Sequence, residues 1–168
     1  YYNYSTEVRR NKLVSYSSNY AYGLYYYRCY ATSGSRKQVS NNMISLPTAS
    51  ASGTNYGVYY YYANYTDFVY NSVYLAGGNG STNRGVYLYY GTSVRFQNNV
   101  IHNNGKGYAL YNYGTQSPRS YNACYAPNGT AAWRFSQGAN SLNVNPLFKS
   151  STDLHTTATS IYKKGTPY

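Results

Sequence analysis

Glu7, Asp67 and Asp153 are the only acidic residues of this 168-residue chain, so any acid–base chemistry must begin with them. Glycosidic hydrolysis places two carboxyl groups on either side of the bond, and calcium sites need several acids around one ion. Glu7 and Asp67 each stand four residues before an asparagine, Asn11 and Asn71, so they share one position in whatever repeats there. Asp153 is remote from both. His102, His155, Cys29 and Cys124 fall at unrelated positions, which argues against a convergent metal site. Two cysteines are too few for a disulfide framework; they can pair with each other or stay as buried free thiols. The glycine-rich run 77–85, "GGNGSTNRG", lacks the lysine–serine ending of a phosphate loop. The expectation is a chain with no catalytic residue, no metal and no cofactor.

The elements that would position these residues come from a repeat. Asn11, Asn42, Asn71, Asn99 and Asn122 recur at spacings of 31, 29, 28 and 23 residues. Three residues before them stand Val8, Val39, Phe68, Phe96 and Arg119, and two residues after them Leu13, Ile44, Val73, Ile101 and Cys124. Nine of these ten are apolar or cysteine, so both columns read as core. The asparagine between them is expected at a sharp turn, in a left-handed backbone, with its amide paired along the column. A unit of this length holding two or three short strands is one coil of a solenoid. Glu7 and Asp67 then lie two coils apart, about 9–10 Å at ordinary strand spacing, a separation that an inverting hydrolase just tolerates.

Each coil adds a strand led by glycine: "GLYYY" from Gly23, "GVYYYY" from Gly57, "GVYLYY" from Gly85 and "GYALYNY" from Gly107. Side chains alternate along a strand. Leu24, Val58, Val86 and Tyr108, one residue on, read as inward, as do Tyr26, Tyr60, Leu88 and Leu110, three residues on. Tyr25, Tyr59, Tyr87 and Ala109 then face out, with Tyr27, Tyr61, Tyr89 and Tyr111. The outer face therefore carries tyrosine ladders, with Tyr25, Tyr27, Tyr59, Tyr61, Tyr87, Tyr89 and Tyr111 as candidate ligand-binding residues. Flat amphipathic rings suit sugar faces or a partner's side chains. Stacking between coils also stabilises the sheet itself.

The net charge is +11, from 14 basic and 3 acidic residues. There is no dense basic run: Arg9–Arg10, Arg36–Lys37 and Lys163–Lys164 are only pairs, and no basic stripe is interleaved with the aromatics, so nucleic acid is not the expected partner. No apolar run approaches a membrane span, so no membrane insertion is expected.

These coils, and "VRFQNNVIHNNGKGYALYNYG" in particular, resemble the right-handed parallel β-helix family of the pectate-lyase type. The segment 141–167, "SLNVNPLFKSSTDLHTTATSIYKKGTP", resembles the closing segment of bacterial secreted β-helix proteins. The resemblance implies an all-β, right-handed parallel β-helix of about six or seven coils over residues 1–140, closed by residues 141–168. It also implies an extracellular or cell-surface setting. The leading expectation for function is a non-catalytic structural or adhesive domain that binds carbohydrate or a surface protein along the tyrosine ladder. The alternative is a polysaccharide lyase or glycoside hydrolase of the same class. Open coil edges call for a cap, further coils or a second molecule stacked end to end.

Overall fold

The computed structural model describes residues 7–17, 19–48 and 53–167. Residues 1–6 of the expected coil region lie outside these. The first coil holds β1 (Val8–Arg9), β2 (Lys12–Val14) and β3 (Ala21–Tyr27). The second holds β4 (Lys37–Ser40), β5 (Met43–Leu46) and β6 (Asn55–Tyr61), and the third β7 (Thr66–Val69), β8 (Ser72–Leu75) and β9 (Arg84–Tyr89). The fourth holds β10 (Val94–Gln97), β11 (Val100–Asn103) and β12 (Tyr108–Asn112). The fifth holds β13 (Gln116–Ser120), β14 (Ala123–Tyr125) and β15 (Thr130–Trp133). Every strand pairs in parallel with its counterpart one coil away, which builds three five-stranded sheets: β1-β4-β7-β10-β13, β2-β5-β8-β11-β14 and β3-β6-β9-β12-β15. The fold is a parallel β-helix. Among the described residues five coils are complete, and a sixth is only begun, where Leu142 bridges Ala123 in parallel. The chain then leaves the coil path, so the coils are fewer than the six or seven that the resemblance implies.

An asparagine ladder fixes the stack between the first and second sheets. Asn42 Nδ2 donates to Asn71 Oδ1 (2.9 Å), Asn71 Nδ2 to Asn99 Oδ1 (3.2 Å) and Asn99 Nδ2 to Asn122 Oδ1 (3.1 Å). Each Oδ1 also accepts the backbone N–H of the preceding coil's asparagine, as in Asn42 N to Asn71 Oδ1 (3.1 Å). Ser141 Oγ accepts from Asn122 N (3.2 Å) and takes the asparagine's place in the begun coil. The left-handed residue is the one before each asparagine: Arg10, Asn41, Tyr70, Asn98 and Tyr121 have φ between 55° and 57°. This corrects the expected position. The asparagine stays in line with β2, β5, β8, β11 or β14 because its amide must reach along the stack, and the residue before it absorbs the turn.

Both predicted core columns hold. Val8, Val39, Phe68, Phe96 and Arg119 are in register, as are Leu13, Ile44, Val73, Ile101 and Cys124. From the second to the fourth coil these side chains are fully buried. Arg119, the polar exception, is exposed; the buried Phe135 packs edge-on against Phe96 (5.6 Å) and closes the core there instead. Tyr26 and Tyr60 are inward as expected, stacked at 5.2 Å.

Residues 141–167 run back along the outer face of the second sheet. Ser45 donates to Ser151 O, and Phe148 lies edge-on to Tyr74 at 6.3 Å. Tyr70 Oη donates to Thr166 O (2.6 Å), while Thr166 N donates to Asn98 Oδ1 (3.0 Å).

Candidate functional site

The outer face of β3, β6, β9, β12 and β15 is an aromatic wall. One column is Tyr25–Tyr59–Tyr87–Tyr111–Trp133, each residue in register with the next. A second is Tyr27–Tyr61–Tyr89, with centroids 4.9 and 5.0 Å apart, continued by Tyr113 at 5.7 Å. All seven tyrosines singled out from sequence therefore stand on this wall. Tyr25, at 53% exposure, and Tyr27, at 37%, are the most open of them, and the other five are half-buried by their neighbours.

The fourth coil corrects the expected register. Tyr108 pairs with Arg84 and Leu110 with Val86, so Ala109 stands where Gly85 stands one coil earlier. Aligning Gly107 with the leading glycines misplaces this strand by two residues. Tyr111 thus joins the column of Tyr87 rather than that of Tyr89. Tyr108, expected inward, is on the outer wall, and the inward place of Leu88 falls to the buried Asn112.

A bend at Gly23, Gly57 and Gly85, and at Ala109 in the fourth coil, widens the wall. Tyr22 and Tyr25 are three residues apart yet both face out, edge-to-face at 5.1 Å. The residues before Gly23, Gly57, Gly85 and Ala109 add a third column, Tyr22–Tyr56–Arg84–Tyr108. Sequence reading counted only from the glycine onward and missed it. Tyr62 and Tyr90, in left-handed positions just after β6 and β9, add a pair 5.2 Å apart.

Arginines punctuate the wall. The Arg84 guanidinium lies 4.9 Å from the Tyr87 ring centre and 4.4 Å from that of Tyr111, and Nη1 donates to Tyr56 Oη (3.3 Å). Arg134 covers Trp133 (4.6 Å) and Tyr113 (4.7 Å). The five strands of this sheet carry no acidic residue. Burial, reinforced by neighbouring phenols, raises Tyr59 to about 12 and pushes Tyr87 up as well. These rings therefore stay neutral hydrogen-bond donors at any ordinary pH.

The acids are engaged elsewhere. Asp67 is buried; Arg36 Nε donates to its Oδ1 (2.6 Å) and Arg95 Nη1 lies 3.7 Å from Oδ2. It pairs in register with Gln38, as the shared column requires. Glu7 is ion-paired with Arg9 at 2.6 Å, and Asp153 is hydrogen-bonded to the His155 ring. No group of three or more metal-ligating side chains occurs among the described residues. Cys29 and Cys124 are both buried, and burial raises the Cys124 thiol to about 12.

His102 is on the outer column of the second sheet, as read from sequence, but residues 141–167 cover it. Its ring lies 5.1 Å from Tyr125 and 6.3 Å from Phe148, and its Nε2 is buried without a hydrogen-bond partner. Burial lowers its pKa to about 4. An unfolded histidine titrates near about 6.5. Between those values the unfolded chain takes up a proton that the folded chain refuses. The stability that this neutral ring contributes is therefore fully present above about pH 6.5 and is lost as pH drops towards about 4. We expect a loss of about 1–2 kcal/mol across that window, discounted for the ring's residual exposure. His102→Phe should flatten that part of a melting-temperature profile; an unchanged slope would assign it to other groups.

No family model matches the chain, and no curated protein or solved structure is significantly similar to it.

Proposed function

We propose that this chain is a non-catalytic, extracellular structural and adhesive domain of a bacterial surface or secreted protein, and that it binds carbohydrate along the aromatic wall. The observation that carries this reading is the five-ring column Tyr25–Tyr59–Tyr87–Tyr111–Trp133, flanked by parallel columns on an exposed face. An exposed aromatic surface of this extent marks an interaction site. A wall that offers the same ring at every coil suits a polymer that offers the same flat face at every residue. Phenol hydroxyls and the arginines supply directional contacts to hydroxyl or carboxylate groups at its rim. The resemblance of residues 141–167 to closing segments of secreted β-helix proteins supports the extracellular assignment. The engagement of Glu7 and Asp67 in ion pairs, and of Asp153 in a hydrogen bond to His155, favours binding over hydrolysis.

The test is a glycan array followed by calorimetry on the strongest hits, with Tyr25, Tyr59 and Tyr87 changed together to serine. Losing about 0.5–1.5 kcal/mol of stacking per ring predicts affinity at least about tenfold weaker. Circular dichroism must show that the variant is folded. Equal binding by wild type and variant, or no glycan bound at all, would remove carbohydrate as the ligand of this wall.

A further inference from the structure

The column Tyr27–Tyr61–Tyr89 has a geometry that the binding reading does not use. Its rings are nearly parallel, at 11° and 15°, with centroids 4.9 and 5.0 Å apart. Each pair is locked in register by the backbone ladder, Tyr27 opposite Tyr61 and Tyr61 opposite Tyr89. The adjacent column lacks this regularity, because Tyr59 and Tyr87 meet at 78°. Tyr26 and Tyr60 also stack, but they are sealed in the core, where a coupled product has no room.

We propose that Tyr27, Tyr61 and Tyr89 are a site of oxidative coupling, at which a dityrosine bond staples neighbouring coils. The oxidant is hydrogen peroxide acting through a one-electron peroxidase. Each of two phenols loses one electron and one proton. The two phenoxyl radicals join through a new carbon–carbon bond between ring positions ortho to the hydroxyls. The displaced ring hydrogens return to the oxygens through solvent and restore both phenols. Two tyrosines and one peroxide thus give one dityrosine and two waters. The ladder lowers the barrier by holding the partners face to face, so that coupling is intramolecular and needs no encounter between chains.

The test is limited oxidation of the dilute, folded chain with a haem peroxidase and about one equivalent of peroxide, followed by tryptic peptide mapping. The expected products join peptide 13–28 to 38–84 through Tyr27 and Tyr61, and 38–84 to 85–95 through Tyr61 and Tyr89, each lighter by two hydrogens. Tyr61→Phe keeps the stacked ring but removes both products, and a melting-temperature rise on oxidation should disappear with them. The variant must melt like the wild type before oxidation. Tyr61 lies outside the column substituted in the glycan experiment, so the two proposals fail separately. Three results would overturn the inference: dityrosine mainly between chains, links spread to exposed rings such as Tyr16, Tyr20 and Tyr162, or an unchanged yield in Tyr61→Phe.

Discussion

Replacing Asn71 with alanine should lower the stability of the chain by about 3–5 kcal/mol. The Asn71 side chain makes five hydrogen bonds in a fully buried place. Its Nδ2 donates to Val39 O (2.8 Å), Val69 O (3.2 Å) and Asn99 Oδ1 (3.2 Å), and its Oδ1 accepts from Asn42 N (3.1 Å) and Asn42 Nδ2 (2.9 Å). Alanine abandons all of these partners at once, and water cannot reach them. An unmade buried bond costs about 1–3 kcal/mol, and because bonds in a chain polarise one another the loss extends past one coil. Folded domains are stable by only about 5–15 kcal/mol, so this change consumes a large share of the total. Asn11, exposed at the first rung, is the control: Asn11→Ala should cost about 1 kcal/mol. Urea unfolding of both variants makes the comparison. Equal losses would mean that the ladder follows from coil stacking rather than holding it together.

Gly57→Val is the second large effect expected. A Cβ at Gly57 would lie 2.5 Å from Gly85 O, 2.5 Å from Val73 Cγ1 and 2.8 Å from Leu75 Cδ1. The obstacle ahead is backbone and the obstacles beneath are the core of the second sheet, so neither can yield cheaply. Overpacking of this kind costs about 1–3 kcal/mol for a small group, and valine adds two more methyl groups to it. We expect about 1–3 kcal/mol for Gly57→Ala and more for Gly57→Val. The damage should reach the aromatic wall, because the bend at this glycine brings the Tyr56 and Tyr59 rings to 5.0 Å. Near-ultraviolet circular dichroism would register their separation. A Gly57→Val chain with wild-type stability and an unchanged aromatic signal would contradict this account of the bend.

These cases mark where sequence was informative. The asparagine repeat was legible because the ladder demands one residue type, an amide that donates and accepts at the same place. Once that register was set, the columns through Phe68 and Val73 followed from strand periodicity. The left-handed position was not legible: Arg10, Asn41, Tyr70, Asn98 and Tyr121 have nothing in common but their place in the stack. The two-residue error at Gly107 arose because a glycine also serves the preceding turn there, with φ of 100°, while Ala109 takes the position at the bend. The cover over His102 could not be read either, because residues 141–167 do not repeat and periodicity is silent about them. In the candidate site, the seven tyrosines were found by alternation. Arg84 was not, since it interrupts a tyrosine column one residue before the glycine that anchored the count.

The return path of residues 141–167 changes how such a molecule comes apart. A bare stack is a one-dimensional chain of neighbours, and it can fray coil by coil from an open end. Here the contact of Ser151 with Ser45 spans 106 residues, and that of Thr166 with Tyr70 spans 96. These contacts tie the begun sixth coil to the second and third, as a strap ties a pile of books. The fifth coil cannot peel away until the strap lifts, and the strap cannot settle until the coils beneath it exist. We expect a late closing step in folding and a single, abrupt transition in unfolding, where repetition alone would give gradual melting.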